Sequence, residues 1–367
     1  MKNLDKYLIG NGIDVSENSK NYVEPNNLYS LRSYFKPETL DFIYSKELIN
    51  KTKFYRILLK EWFYACKKNK YIIIEMSNNE LLDFKKLKNE CLLVLKNKIK
   101  LIYLEENKKE NRSILVLKKI KDALVPQDNI KSWTFGIITD GKREEWVDKE
   151  IDSIIALNIP HFEIIVCGVY NEKCKKNVKY LKFNSEIPWI CKKKNFICQN
   201  SKYENIVLTH DKYLFDKNWY IGMKKYGNYF EVLSCIIKDV NGNRAGDWIS
   251  YGTDWGNIPK IGFLNYNDWD KTGYISGGLY ILKKSIWKKV KWDNKLLWRQ
   301  AEDVKLSKDF FYKGILSRFN PYSKCTTLFI KPLDLKSGLF KFNNKKLGKC
   351  ENRPLIFYIS YLKRLII

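Results

Sequence analysis

The order of short apolar runs constrains this chain most. Trp133–Thr139 (WTFGIIT), His161–Gly168 (HFEIIVCG) and Asn205–Thr209 (NIVLT) each have the length and content of a buried strand. Val178–Phe183 is a further strand candidate. Between them lie helical segments at roughly Glu144–Leu157 and Ile190–Asn200. The first places Trp146, Val147, Ile151, Ile154 and Ile155 on one side. Strand, helix and strand in short succession imply βαβ units and a mostly parallel sheet. Ligands of such sheets sit at the carboxyl ends of the strands. Those ends carry Thr139-Asp140-Gly141, Cys167-Gly168 and Thr209-His210-Asp211.

A second α/β block precedes this one. Its candidate strands are Leu40–Tyr44, Tyr71–Glu75, Lys100–Leu104 and Ser113–Leu117, with a helix over Lys53–Cys66. The charged loop ENKKENR joins the last two strands as in an antiparallel hairpin. Val125-Pro126-Gln127-Asp128-Asn129 reads as a linker. The expected domains are therefore 1–124, 131–330 and a basic, apolar tail over 331–367.

The 367 residues hold 67 Lys+Arg against 41 Asp+Glu, a formal charge of +26. Phosphate neutralisation on nucleic acid, an anionic membrane surface and a general compositional bias all remain open as its cause. Hydrophobic residues at 45% exclude a disordered basic tail protein. No run of ~20 apolar residues offers a spanning helix, and MKNLDKYLIGNG has no secretory stretch. None of the nine Cys forms a CxxC pair, and His161 and His210 are the only histidines, so a zinc site is not expected. Cys66, Cys91, Cys167 and Cys235 read as small buried hydrophobes, which fits a reducing, cytoplasmic compartment.

The order WTFGIIT, FEIIVCG, NIVLTHD resembles the nucleotide-binding half of a GT-A glycosyltransferase of the family 2 kind. The resemblance covers about Trp133–Asn320. In that family a strand ends in Asp-x-Asp or a variant, whose carboxylates hold Mg²⁺ or Mn²⁺ on the diphosphate of a sugar nucleotide. Here Thr209 and His210 depart from the pattern and Asp211 matches it, which implies Asp211 as the metal ligand. Downstream, Ser276-Gly277-Gly278 feeds the strand Leu279–Leu282, and Trp298-Arg299-Gln300-Ala301-Glu302-Asp303 follows. This resembles the acceptor side of the same enzymes. Asp303 would be the base that takes the acceptor hydroxyl's proton, with inversion at the sugar, and Glu302 would hold an acceptor hydroxyl or orient the base. An acidic helix N-terminus is the plainer reading of the pair.

The implied donor contacts are Thr139, Asp140, Lys194, Asn195, His210 and Asp211. The implied acceptor contacts are Gly277, Gly278 and Trp298. Asp247 and Trp248 join them because a ring can stack on a sugar while a carboxylate accepts its hydroxyls; core packing is the alternative. The expected partners are a UDP-, GDP- or dTDP-linked sugar and a glycan or glycolipid acceptor. Nucleic acid is not expected, and oligomers stay open.

Leu40–Glu75 resembles the second half of a class I methyltransferase, a Rossmann-like α/β domain. Ile9-Gly10-Asn11-Gly12 and Asp14 stand where its cofactor loop would be, but too close to Leu40 for a whole pocket. A degenerate domain without methylation is expected. The apolar, basic end LIFYISYLKRLII suits either peripheral membrane contact or a docked last helix. A methyltransferase with an accessory domain, or a basic nucleic-acid-binding protein, are the rival functions.

Overall fold

The computed structural model describes residues 4–20, 36–123, 130–171, 177–183, 189–252, 255, 261–297, 300–329 and 340–341. The chain divides into two compact units. One comprises Met1–Val125 with the short segments Asn267–Lys271 and Tyr312–Ile315; the other comprises Pro126–Tyr266, Thr272–Phe311 and Leu316–Ile367. The tail beyond residue 329, apart from 340–341, lies outside the described residues.

The first unit is built on β1 (Gly12–Asp14), β2 (Leu40–Lys46), β3 (Cys66–Ser77), β4 (Ile99–Asn107) and β5 (Arg112–Lys119), in the order β1-β2-β3-β5-β4. β1, β2 and β3 run parallel, and the hairpin β4–β5 is antiparallel. Helix Tyr55–Ala65 links β2 to β3 and buries Ile57, Leu58, Trp62 and Ala65 at helical spacing. A second helix, Phe84–Leu95, was not anticipated; the Asp83 carboxylate caps it by accepting from the Lys86 N–H.

The lysine-rich approach to Tyr71 belongs to β3. Cys66 pairs with Leu40 and Tyr71 with Phe42, so residues 67–70 bulge outward. Asp41 on β2 holds the bulge through Lys67 at 3.3 Å and Lys70 at 3.2 Å. The Ile9–Gly12 loop is also committed internally: the Asn11 N–H donates to Asp41. Among the described residues the sheet ends at β1.

The second unit contains β6 (Ser132–Thr139), β7 (His161–Gly168), β8 (Val178–Lys182), β9 (Asn205–His210), β10 (Tyr213–Phe215) and β11 (Val232–Asp239). It continues with β12 (Ile249–Ser250), β13 (Gly262–Phe263), β14 (Gly273–Tyr274), β15 (Leu279–Lys283), β16 (Ser317–Thr327) and β17 (Phe340–Lys341). The main sheet has the order β10-β16-β11-β15-β9-β6-β7-β8. Its β9-β6-β7-β8 half is parallel, as the apolar runs predict. Beyond β9 the pattern is mixed: β15 is antiparallel to both β9 and β11, and β11 is parallel to β16. The fold is thus α/β on a mixed sheet, with four of its seven strand pairings parallel.

β6 is buried from Trp133 onward, and Gly136 lets helix Ile190–Asn200 approach it, since a Cβ there would collide with Ile197. The stretch 241–274 supplies β12–β14 of a small sheet. Ile249, Tyr251, Phe263 and Tyr274 pack in its core with Val304.

Candidate functional site

The carboxyl ends of β6, β7 and β9 meet the turn before β15 and the start of helix Glu302–Tyr312, all within the second unit. At the centre of this edge stands Asp211, with its side chain 3% exposed. The Thr139 hydroxyl donates to its Oδ2 at 2.8 Å, and Arg143 Nη2 meets its Oδ1 at 2.9 Å. Burial pushes the Asp211 pKa up, opposed by the Thr139 hydrogen bond and the Arg143 charge. Asp140 is half-exposed beside it and accepts from the Lys142 N–H.

Two buried lysines from helix Ile190–Asn200 bind this edge together. Lys193 Nζ donates to the Thr139 carbonyl at 2.6 Å, and burial lowers its pKa. Gly168, at φ +140°, lies against the same carbonyl, and a Cβ there would collide with it. Lys194 Nζ donates to the Gly277 carbonyl at 2.8 Å and meets Glu302 Oε1 at 3.4 Å. Burial raises the Glu302 pKa, and Lys194 works against that shift.

The turn before β15 connects the two halves of the site. The Gly277 N–H donates to Asp303 Oδ2 at 2.9 Å, while the Val304 N–H donates to Oδ1. The His210 N–H donates to the Gly278 carbonyl at 3.0 Å. A Cβ on Gly277 would stand 2.5 Å from Glu302 Oε1, and one on Gly278 would collide with the Tyr213 hydroxyl. Neither position admits another residue without displacing its neighbour.

His210 lies on the same edge. Its Nε2 is buried without a hydrogen-bond partner among the described residues. Burial, followed by the charges of Lys194, Lys212, Arg143 and Lys193, drives its pKa well below the usual value. The imidazole is therefore neutral at pH 7.

The structure thus brings Thr139, Lys194, His210, Asp211, Gly277, Gly278, Glu302 and Asp303 into one hydrogen-bonded edge. Three expected contacts depart from it. Asn195 gives its amide to Trp292 O and Asn294, and its oxygen accepts from the Trp287 indole, so it fastens its helix to segment 287–294. Asp247 is fully buried, held by Arg244 at 2.8 Å and by the Tyr266 hydroxyl at 2.8 Å. Trp248 is fully buried against Phe319, with no face left for a sugar. Trp298 lies outside the described residues.

Two residues of the edge escaped the sequence reading. Arg143 sits just before helix Glu144–Ile155, and only its place after the end of β6 hinted at a role. Glu150, on the buried face of that helix, accepts from the Tyr213 N–H at 3.3 Å. Its position between Val147 and Ile154 on the apolar stripe was the available signal.

The donor set does not fit the expected divalent ion. Mg²⁺ or Mn²⁺ on a diphosphate takes one or two protein carboxylates with oxygens free to bind it, and phosphate and water complete its shell. Both Asp211 oxygens are already engaged, one of them by a cation. No group of three His, Cys, Asp or Glu suited to a metal occurs among the described residues.

No family model matches the sequence, and no curated protein matches it. Among solved structures, the chain is similar to GalNAc-T7 with UDP, GalNAc and Mn²⁺ at 15% identity and a TM-score of 0.43, over 63% of this chain and 48% of that one. It is similar to S. aureus TarS 1-349 at 14% identity and a TM-score of 0.38, over 54% and 60%. For TarS 1-349 in complex with UDP-GlcNAc the values are 13%, 0.39, 64% and 65%. The chain therefore spans about half to two thirds of the length of the structures it matches. All three likenesses are at low identity and below a TM-score of 0.5.

Proposed function

We propose that this chain transfers a glycosyl group from a nucleoside-diphosphate sugar to a hydroxyl of a glycan or glycolipid. The observation that supports it is the turn Ser276–Gly278. Its Gly277 carbonyl is bound by buried Lys194 and its Gly277 N–H by the Asp303 carboxylate, while the next carbonyl meets the backbone of His210 beside Asp211. One rigid turn thereby links a cation-rich strand edge to a carboxylate at a helix start.

Such an arrangement suits displacement at a sugar carbon. The acceptor oxygen forms a bond to the anomeric carbon as the bond to the diphosphate breaks, and Asp303 accepts the hydroxyl proton. Cations at the strand edge stabilise the charge that develops on the leaving diphosphate. Glu302, buried against Lys194, orients the helix start rather than binding acceptor. Attack from the side opposite the leaving group inverts the sugar.

Replacing Asp303 separates binding from chemistry. Asp303→Asn removes the base and keeps one oxygen, for the Gly277 N–H, at the loss of the acceptor for the Val304 N–H, so the thermal midpoint is followed beside activity. Turnover falls by about 10²–10⁴-fold while the donor's Kd stays within about twofold, because a base contributes to the transition state and not to donor binding. Loss of donor binding in that variant would give Asp303 a different role.

A further inference from the structure

We infer that Arg143 supplies, at Asp211, the positive charge that the expected divalent ion would bring, so that the donor diphosphate binds without metal. The inference rests on the donor reading above. Its ground is the occupancy of Asp211: Arg143 Nη2 lies 2.9 Å from Oδ1, and Thr139 takes Oδ2. A metal at this carboxylate would have to displace the guanidinium or share a small space with it, against direct repulsion.

Arg143 is also shaped for the task. A guanidinium carries five N–H donors in a planar fork and keeps its charge at any working pH. The side chain of Asp211 is 3% exposed, whereas that of Arg143 is 34% exposed. One edge of the fork therefore anchors on a buried carboxylate while the side chain still reaches solvent. The Trp146 ring lies 5.4 Å from the guanidinium carbon and restricts its swing. Anchored and partly open, Arg143 can hold a phosphate oxygen and Asp211 at once. Lys142, with its side chain 84% exposed, stands next to it in the same loop as a second cation.

The test is calorimetric titration of the full chain with UDP, GDP, dTDP and inorganic pyrophosphate, in EDTA and again with MnCl₂. The expected result is binding in EDTA, with a Kd that changes by less than about threefold on adding Mn²⁺. Arg143→Gln should weaken that binding by at least about tenfold, and Arg143→Lys by less, since it keeps the charge but not the fork. Circular dichroism and the thermal midpoint check that each variant folds; the wild-type comparison decides the metal question even if Arg143→Gln does not. Binding that appears only with Mn²⁺ would overturn the inference and leave the donor reading standing. So would unchanged binding in a folded Arg143→Gln. Failure of the wild type to bind any of the four probes in either condition would remove the donor reading, and this inference with it.

Discussion

At the scale of single residues, the site depends on buried charges whose partners are few. Lys194 is 1% exposed and has the Gly277 carbonyl and Glu302 as its partners, so its loss strands a buried carboxylate. Lys194→Met should cost about 3–5 kcal/mol of stability, the range for breaking one side of a buried pair. The double variant Lys194→Met/Glu302→Gln should recover part of that loss, because it removes the orphaned charge. Denaturant unfolding of both variants measures the difference, and equal midpoints would mean that the pair is not coupled. Asp247 makes a contrasting case. It accepts from Arg244, Tyr266 and the backbone N–H groups of Ile237 and Trp248, all internal. Asp247→Asn should lower the thermal midpoint and leave the acceptor KM unchanged. A raised acceptor KM in a protein of normal stability would return Asp247 to the binding surface.

At the scale of elements, legibility followed the match between burial and side-chain pattern. β6, β9 and β7 from Ile164 onward are buried on both faces, so each reads as a mainly apolar run. Helix Ile190–Asn200 was legible in extent, and Lys194 was expected at the donor, but no local pattern marks Lys193 and Lys194 as buried. They are buried because Thr139 and Gly277 offer carbonyls to them. β16 was illegible for the opposite reason: its sequence, SRFNPYSKCTT, is polar and contains a proline. The strand exists because β11 and β10 flank it, and because the Asn320 amide and the Ser323 hydroxyl bond each other and the Trp219 carbonyl. Its proline falls in the bulge between Asn320 and Lys324, where no ladder hydrogen bond is lost. Arg143 was hidden in the same way. No local pattern announces an ion pair with a carboxylate from a distant strand, whereas Asp211 and Glu302-Asp303 stand at strand and helix ends that the sequence marks.

At the scale of the molecule, the +26 charge is the feature most open to misreading. A few of the basic side chains serve inside the fold. Lys119 is fully buried with Glu38 and two carbonyls, Lys283 donates to two asparagines, and Lys193 and Lys194 stitch the site. Cys66, Cys91, Cys167 and Cys235 are buried and outside any disulfide, as their apolar contexts predicted, and so are Cys191, Cys198 and Cys325. Among the described residues no helix is long and apolar enough to cross a membrane. The most direct measurement is release of nucleoside diphosphate from UDP-, GDP- and dTDP-sugars by the full chain, with single-stranded RNA and DNA binding followed in parallel at low and high salt. The account predicts turnover of at least one sugar nucleotide, lost in Asp303→Asn. No turnover and no sugar-nucleotide binding, together with tight salt-sensitive binding of nucleic acid, would contradict it.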